Sequence, residues 1–389
     1  FAPFWSAGIG WNIHNEKFWG NPEWLTQAKI RSSVGYTGNV TFSPYQAQTT
    51  YQYSSDNIYL NGVGADIIAL GNEDLKWQRK FTVNLGCDLD FWEGRFSLTG
   101  EYFREYTKDV LMDISLPPSL GFIDYKENFG EMENKGWSLN LRTQMLRDTE
   151  RELYWSLAFG KNKIKKITDK LGAMNDENNK NETKKPVPLY EEGESLDALK
   201  AVPSLGIDPE TGKEVFVKKD GSLTTIWDYN DKVVCGTTDP KFRGTLNSFL
   251  TFKGISLNMS FNFQWGGQTY NQTLASRVEG VNPNSNCDRR VLYDRWKKPG
   301  DRTFFKNIAL EENVSNLTTR FVQDYNYFQI GSISLGYEMR RELCRKIGLT
   351  GLRFNFNMGD IARFSSVKEE RGLSYPFARQ FTFSLSASL

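Results

Sequence analysis

An all-β, transmembrane antiparallel β-barrel is the fold class this sequence predicts, on three observations. Runs of strictly alternating apolar and polar residues recur along the 389 residues. The connections between those runs alternate short and long. No apolar run approaches the roughly 18 residues that a membrane helix requires, so a membrane-spanning reading has to use strands, each of about 9–11 tilted residues.

The strands follow in order near 4-14, 24-36, 76-91, 95-106, 134-146, 151-166, 241-253, 255-266, 326-339, 350-359 and 378-389. Three show the alternation best. Phe81, Val83, Leu85, Cys87, Leu89 and Phe91 oppose Thr82, Asn84, Gly86, Asp88 and Asp90. Ile255, Leu257, Met259, Phe261, Phe263 and Trp265 oppose Ser256, Asn258, Ser260, Asn262 and Gln264, and Phe381, Phe383, Leu385, Ala387 and Leu389 oppose Thr382, Ser384, Ser386 and Ser388. A two-residue period means two different environments, lipid outside and a polar lumen inside.

Placing the end of the last strand in the periplasm puts the turns at Asn15-Pro22, Glu93-Gly94, Arg147-Glu150, Lys253-Gly254 and Arg340-Gly348 on that rim. The long connections, 37-75, 107-133, 167-240, 267-325 and 360-377, then face outward, and loops of that length generally carry function or disorder. Trp11, Trp77, Trp92, Trp265 and Tyr337 fall near strand ends, where amphipathic rings collect at the membrane–water boundaries.

Within 167-240, the charged, Asn-rich stretch Asn175 to Lys185 reads as a solvated excursion. Gly206 to Val217, with Asp-Pro and later Asp-Gly turn signals, reads as a surface hairpin. Arg289, Leu292, Tyr293 and Trp296 have helical spacing and predict a short helix near 286-296.

Several chemistries find little support. Lys+Arg 48 against Asp+Glu 47 gives a formal charge of +1, so no nucleic-acid partner is expected. His14 is the single histidine, which disfavours Ser-His or Cys-His catalysis. No carboxylate pair stands out for glycoside cleavage. Cys87, Cys235, Cys287 and Cys344 are isolated, without metal-binding spacing. Asp288, Asp294 and Asp301 lack the dense spacing of a calcium loop. No catalytic residue, cofactor or metal is therefore expected. Cys235 and Cys287 lie in different external loops, where an oxidising compartment permits either a bridge or two thiols. Cys87 has the lipid-facing parity, and Cys344 sits in a periplasmic turn with Leu343 and Ile347.

A series of short strings carries a resemblance. In order these are Asn72-Glu73-Asp74-Leu75-Lys76-Trp77, the run from Asn128 to Gly136, the run from Gly206 to Glu214, and Pro240-Lys241-Phe242. Trp265-Gly266-Gly267 with Tyr270-Asn271 and Arg295-Trp296 with Pro299-Gly300-Asp301 follow. The closing strings are Tyr327-Phe328-Gln329-Ile330, Ile333 to Tyr337, and Tyr375-Pro376 with Arg379, Phe381 and Phe383. Each is ordinary turn or strand chemistry alone, but the ordered series resembles the SusC/RagA family of TonB-dependent transporters over nearly the whole chain. Leu389 departs from the aromatic last residue usual in outer-membrane barrels.

The resemblance implies the C-terminal portion, residues 1-389, of a barrel of about 22 strands, in the bacterial outer membrane. The plug and N-terminal extension would lie outside this chain. An odd count of about eleven strands, where single-chain barrels close with an even number, and the absence of an opening signal segment agree with that expectation. The implied activity is import of an oligosaccharide or a peptide. The implied partners are a SusD-like surface lipoprotein, TonB acting through the N-terminal region, and outer-membrane lipid. Sugar rings stack on aromatic faces, so Trp227, Tyr229, Tyr190 and Tyr270 are candidate substrate contacts; local packing is the competing reading. A soluble all-β glycan-binding or scaffold protein and a surface glycosidase remain as alternatives.

Overall fold

The computed structural model describes residues 4–20, 22–39, 47–59, 62–116, 119, 121–122, 124–128, 130–148, 151–166, 186, 191, 193–284, 286–309, 315–372 and 376–389. Three expectations, the Asn175 to Lys185 excursion, Tyr190 and Tyr375, lie outside them.

The strands in chain order are β1 (Trp5–Asn12), β2 (Leu25–Asn39), β3 (Thr50–Tyr59), β4 (Gly62–Ala69), β5 (Gln78–Phe91), β6 (Phe96–Lys108), β7 (Leu111–Ser115), β8 (Asp124–Asn128), β9 (Glu131–Arg147) and β10 (Arg151–Lys166). They continue as β11 (Ala198–Ala201), β12 (Ser204–Ile207), β13 (Glu214–Val217), β14 (Leu223–Thr224), β15 (Val233–Thr237), β16 (Phe242–Phe252), β17 (Ile255–Tyr270), β18 (Val322–Glu338), β19 (Gly351–Ser365) and β20 (Phe381–Ser388). Eleven of them form one antiparallel sheet in the order β1-β2-β5-β6-β9-β10-β16-β17-β18-β19-β20. Every predicted strand is there, and every neighbour is the next long strand in sequence. No helix among the described residues is long and apolar enough to cross a membrane.

The register explains why the alternation is so regular. One row across the sheet reads Ala28, Leu89, Leu98, Leu141, Leu157, Leu246, Phe261, Ile330 and Ala362. The row displaced by one residue reads Lys29, Asp88, Thr99, Asn140, Ala158, Thr245, Asn262, Gln329 and Arg363. A one-residue slip anywhere would invert the two faces, so the pattern itself pins the register. The apolar face is bare: Ile9 is 74% exposed, Leu85 50% and Phe383 74%. Among the described residues nothing covers it, which counts against the dry-core premise of a soluble all-β protein.

The short turns share one rim. Lys253 and Gly254 form a two-residue hairpin turn with φ of 47° and 86°, the left-handed pair that suits the twist of paired strands. A Cβ at Gly254 would meet the Glu338 carbonyl oxygen at 2.6 Å, so glycine is required there twice over. Residues Arg341–Lys346 form a short helix whose Cys344 is buried. His14 Nδ1 lies 3.0 Å from the Ala28 carbonyl oxygen and accepts from the Ala28 amide at 3.3 Å, bracing the first turn.

The long loops contain structure that the strand pattern leaves unmarked. Paired hairpins β3–β4 and β7–β8 stand beyond the sheet in 37-75 and 107-133. The expected hairpin at Gly206 to Val217 is β12 paired with β13, and β14 adds a third strand. The predicted helix near 286-296 is corrected to one 3-10 turn, Arg289–Leu292. Asp294, at φ 51°, breaks the spiral, and Arg295 and Trp296 turn away to partners in other segments.

Candidate functional site

Two regions carry the polar chemistry. The first is the polar face of the sheet. Arg31 reaches Asp88 at 3.1 Å and also pairs with Glu101 across Gly86. Lys80 meets Glu105 at 2.9 Å, and Asn134 donates to the second Glu105 oxygen at 2.8 Å. These side chains share the parity of the polar rows, so strands β2, β5, β6 and β9 present a hydrogen-bonding wall rather than a greasy one.

Near the long-loop rim the wall becomes aromatic. The Arg363 guanidinium lies 4.0 Å from the Tyr327 ring centroid, and Tyr325 stands 5.6 Å from Tyr327. Residues 366–372 strap this corner down. Glu369 pairs with Arg363 at 2.9 Å and contacts the Tyr325 hydroxyl; Arg371 pairs with Asp360 at 2.6 Å. Between them Glu370 points the other way and pairs with Arg290 at 2.7 Å. Three consecutive charged residues thus tie the wall to the external loops.

The second region is an external module built from 193-240 and 267-325. Its apolar centre is Ala201, Tyr270, Ala275, Val278, Val281, Val291, Phe305, Leu317 and Phe321. The packed core of this chain therefore sits outside the sheet. At its heart Glu279 is 0% exposed and takes Arg320 at 2.6 Å, while Arg320 also pairs with Glu214 at 2.8 Å. Burial opposes the charge on Arg320, but the two carboxylates outweigh it and hold the guanidinium above its ordinary value. Glu279 accepts from the Ser315 hydroxyl at 2.9 Å and from the Lys306 amide at 3.4 Å. Arg295 donates to the carbonyls of Val291, Lys306, Val278 and Glu279, and its burial pulls its own pKa down.

Two strings of the resemblance prove to be one device. Asp208 accepts from the Glu210 amide at 3.1 Å and from the Thr211 hydroxyl at 2.6 Å, which fixes the turn and holds its carboxyl below the ordinary range. Trp296 donates to the Pro209 carbonyl at 2.8 Å, and the Gly300 amide donates to the same oxygen at 2.8 Å. The indole lies so close over Gly212 (φ 70°) that a Cβ there would meet Trp296 Cδ2 at 2.5 Å. Asp301 accepts from the Lys297 and Lys298 amides at 3.1 Å each, closing the Pro-Gly-Asp turn.

Of the three aromatic candidates among the described residues, Trp227 packs against the apolar cluster that contains Tyr270. Trp227 is half-buried, donates to the Leu317 carbonyl at 3.1 Å and carries Lys232 over its ring at 5.8 Å. Tyr229 is half-buried in a 3-10 turn, Tyr229–Asp231, capped by Asp228. Tyr270 is buried against Phe321, with ring centroids 5.9 Å apart. Cys235 and Cys287 do not form a disulfide: Cys235 donates to the Leu199 carbonyl at 3.3 Å and Cys287 to the Asn282 carbonyl at 3.4 Å. No group of metal-ligating side chains occurs among the described residues.

Comparison with known proteins agrees with this architecture. The family model described as TonB dependent receptor-like, beta-barrel, matches residues 2–273. The chain is 27% identical over 390 residues to TonB-dependent receptor P3 of Formosa agariphila, covering 94% of this chain and 38% of that protein. It is 23% identical over 362 residues to TonB-dependent receptor SusC of Bacteroides thetaiotaomicron, covering 87% and 34%. The RagAB peptide importer in its 'closed-closed' state superposes with a TM-score of 0.79 at 21% identity, over 99% of this chain and 43% of that one, which shows the shared fold. The chain thus spans 38% or less of the curated relatives compared here. On the match over residues 2–273, the chain belongs to the TonB-dependent receptor-like β-barrel family of the outer membrane.

Proposed function

We propose that this chain is the C-terminal portion of the barrel of an outer-membrane importer that takes up a bulky nutrient, an oligosaccharide or a peptide, with a SusD-like surface lipoprotein and energy passed by TonB. The two-faced sheet is the observation that carries the reading. A wall that is apolar outside and lined with Arg31, Asp88, Glu101, Lys80 and Glu105 inside suits a hydrated solute crossing lipid. Strands β1 and β20 end the sheet without pairing to each other. Unpaired strand edges are not tolerated at lipid depth, which supports closure by further strands supplied by the rest of the receptor.

The receptors and transporters to which the chain is similar are not enzymes, and the glycosidase alternative gains no support. The oligosaccharide reading rests on the resemblance of the chain's motifs to the SusC/RagA family, and the likeness to the RagAB peptide importer supports the peptide one. Of the substrate-contact candidates among the described residues, Trp227 and Tyr229 are half-buried in the external module, while Tyr270 is buried in its core. Alanine at Trp227 and Tyr229 is expected to weaken ligand capture by the assembled receptor and lid, and unchanged affinity would remove both. Uptake of a labelled oligosaccharide and a labelled peptide by cells carrying the full-length receptor decides between cargoes. Loss of uptake on removing TonB is expected; uptake persisting without it contradicts the reading.

A further inference from the structure

The outward face of the sheet is not uniformly apolar. On β6, β9 and β10 its outward parity runs from Phe96, Leu98 and Leu141 through Tyr102 and Trp137, and then turns basic toward the long-loop rim. The register sets Tyr102 beside Trp137 and Trp137 beside Lys161. One row further out it sets Arg104 beside Lys135 and Lys135 beside Lys163. These four cations share the lipid-facing parity of Leu98 and Phe159, not the polar parity of Thr99 and Asn140.

Their height suits a headgroup layer. From Phe96 to Arg104 is eight residues, roughly 27 Å along a strand and about 20 Å along the membrane normal at a tilt near 40°. That is close to the ~25 Å apolar band of such barrels. Lysine and arginine just beyond an aromatic girdle sit where charge costs little. On β16, β17 and β18 the same outward parity carries Phe242, Trp265 and Phe328 instead. The basic patch is therefore local.

Among the described residues one of these four cations is held in an ion pair. Arg104 pairs with Glu133. Among the described residues no ion pair reaches Lys135, Lys161 or Lys163, and Asp239 feels the charges of Lys161, Lys163 and Arg243 together. Lys135 is exposed, and Lys161 and Lys163 are half-buried beside it.

We propose that Lys135, Lys161 and Lys163, with Arg104 beside them, bind the phosphate groups of a phosphorylated lipid headgroup in the outer leaflet, an annular lipid site on the barrel's outer wall. The inference rests on the lipid-facing parity of this sheet and not on the identity of the cargo. Clustered basic side chains at a membrane surface each strengthen binding to anionic headgroups about fivefold.

The test uses the full-length receptor in detergent and native mass spectrometry, with bisphosphorylated lipid A and its dephosphorylated form as probes. The expected result is retention of the phosphorylated lipid, weakened about tenfold or more by the triple variant K135Q/K161Q/K163Q and restored by K135R/K161R/K163R. Equal retention of the dephosphorylated lipid, or an unaltered affinity in the glutamine variant, would overturn the site. Displacement of the lipid by millimolar inorganic phosphate would reduce it to an ion site and equally overturn it. Uptake of nutrient by the glutamine variant separates this inference from the importer reading, since the patch lies outside the channel and transport is expected to continue.

Discussion

Arg320 is the residue on which the external module turns. It is buried between Glu214 and Glu279, 106 and 41 positions away in the chain, and removing it would strip both carboxylates of the guanidinium that pairs with them. Breaking a buried pair in this way costs about 3–5 kcal/mol. Arg320→Gln is therefore expected to speed amide exchange throughout 267–325 while the strands stay protected; Arg320→Lys, lacking the planar fork, should rescue it only in part. Gly212→Ala sets a methyl into Trp296 at a positive φ and should cost about 1–3 kcal/mol locally, read as faster proteolysis near 297–303. Asp288 supplies a pH handle. The side-chain bond from Arg290 pulls its pKa down to about 2, so its contribution is complete above the ordinary carboxylate value and lost as pH falls from about 4 toward 2. Exchange at 288–293 is expected to rise over that window, and R290Q should flatten the response. The partners of Arg320 were not legible as pairs, because contact across 41 or 106 residues leaves no local spacing; what showed in the sequence was the turn chemistry of Asp208-Pro209 and Pro299-Gly300-Asp301.

At the scale of the element, two-residue alternation located all eleven strands of the large sheet, since lipid on one side and water on the other impose the same parity on each. It stopped short where that constraint ends. β17 runs on to Tyr270, β18 begins at Val322 and β19 reaches Ser365, beyond the expected limits of 266, 326 and 359. There the strands leave the apolar band, the β17–β18 and β18–β19 registers shift at bulges, and nothing selects apolar side chains. The short strands of β3–β4 and β7–β8 stand past the sheet for the same reason and were missed. Helical spacing misled at 286–296, where Trp296 answers to Pro209 and not to its own turn. The parity makes a paired prediction on β17. Met259→Arg, facing lipid, should destabilise the folded barrel by about 2–4 kcal/mol, whereas Asn258→Arg, facing the lumen, should cost far less. Refolding into lipid vesicles across a urea series would compare them, and equal costs would contradict the assignment of faces.

For the whole molecule, the decisive physical fact is the location of the packed core among the described residues: it lies in the external module, and the sheet keeps an exposed apolar face suited to hydrocarbon. The wall, the strap at 366–372 and the module form a connected path through Glu369, Glu370 and Arg371. Cargo and partners were not legible in these residues, because selectivity depends on loop surfaces that the alternating pattern does not constrain. The most direct measurement is the labelling of single cysteines placed at each position from 256 to 263, in full-length receptor with its four cysteines from this chain replaced by serine, using a membrane-impermeant thiol reagent in native outer membranes. Labelling at 256, 258, 260 and 262 with protection at 257, 259, 261 and 263 is the expected result. Uniform labelling, or the inverse pattern, would contradict a wall with lipid on its apolar face and water on its polar one.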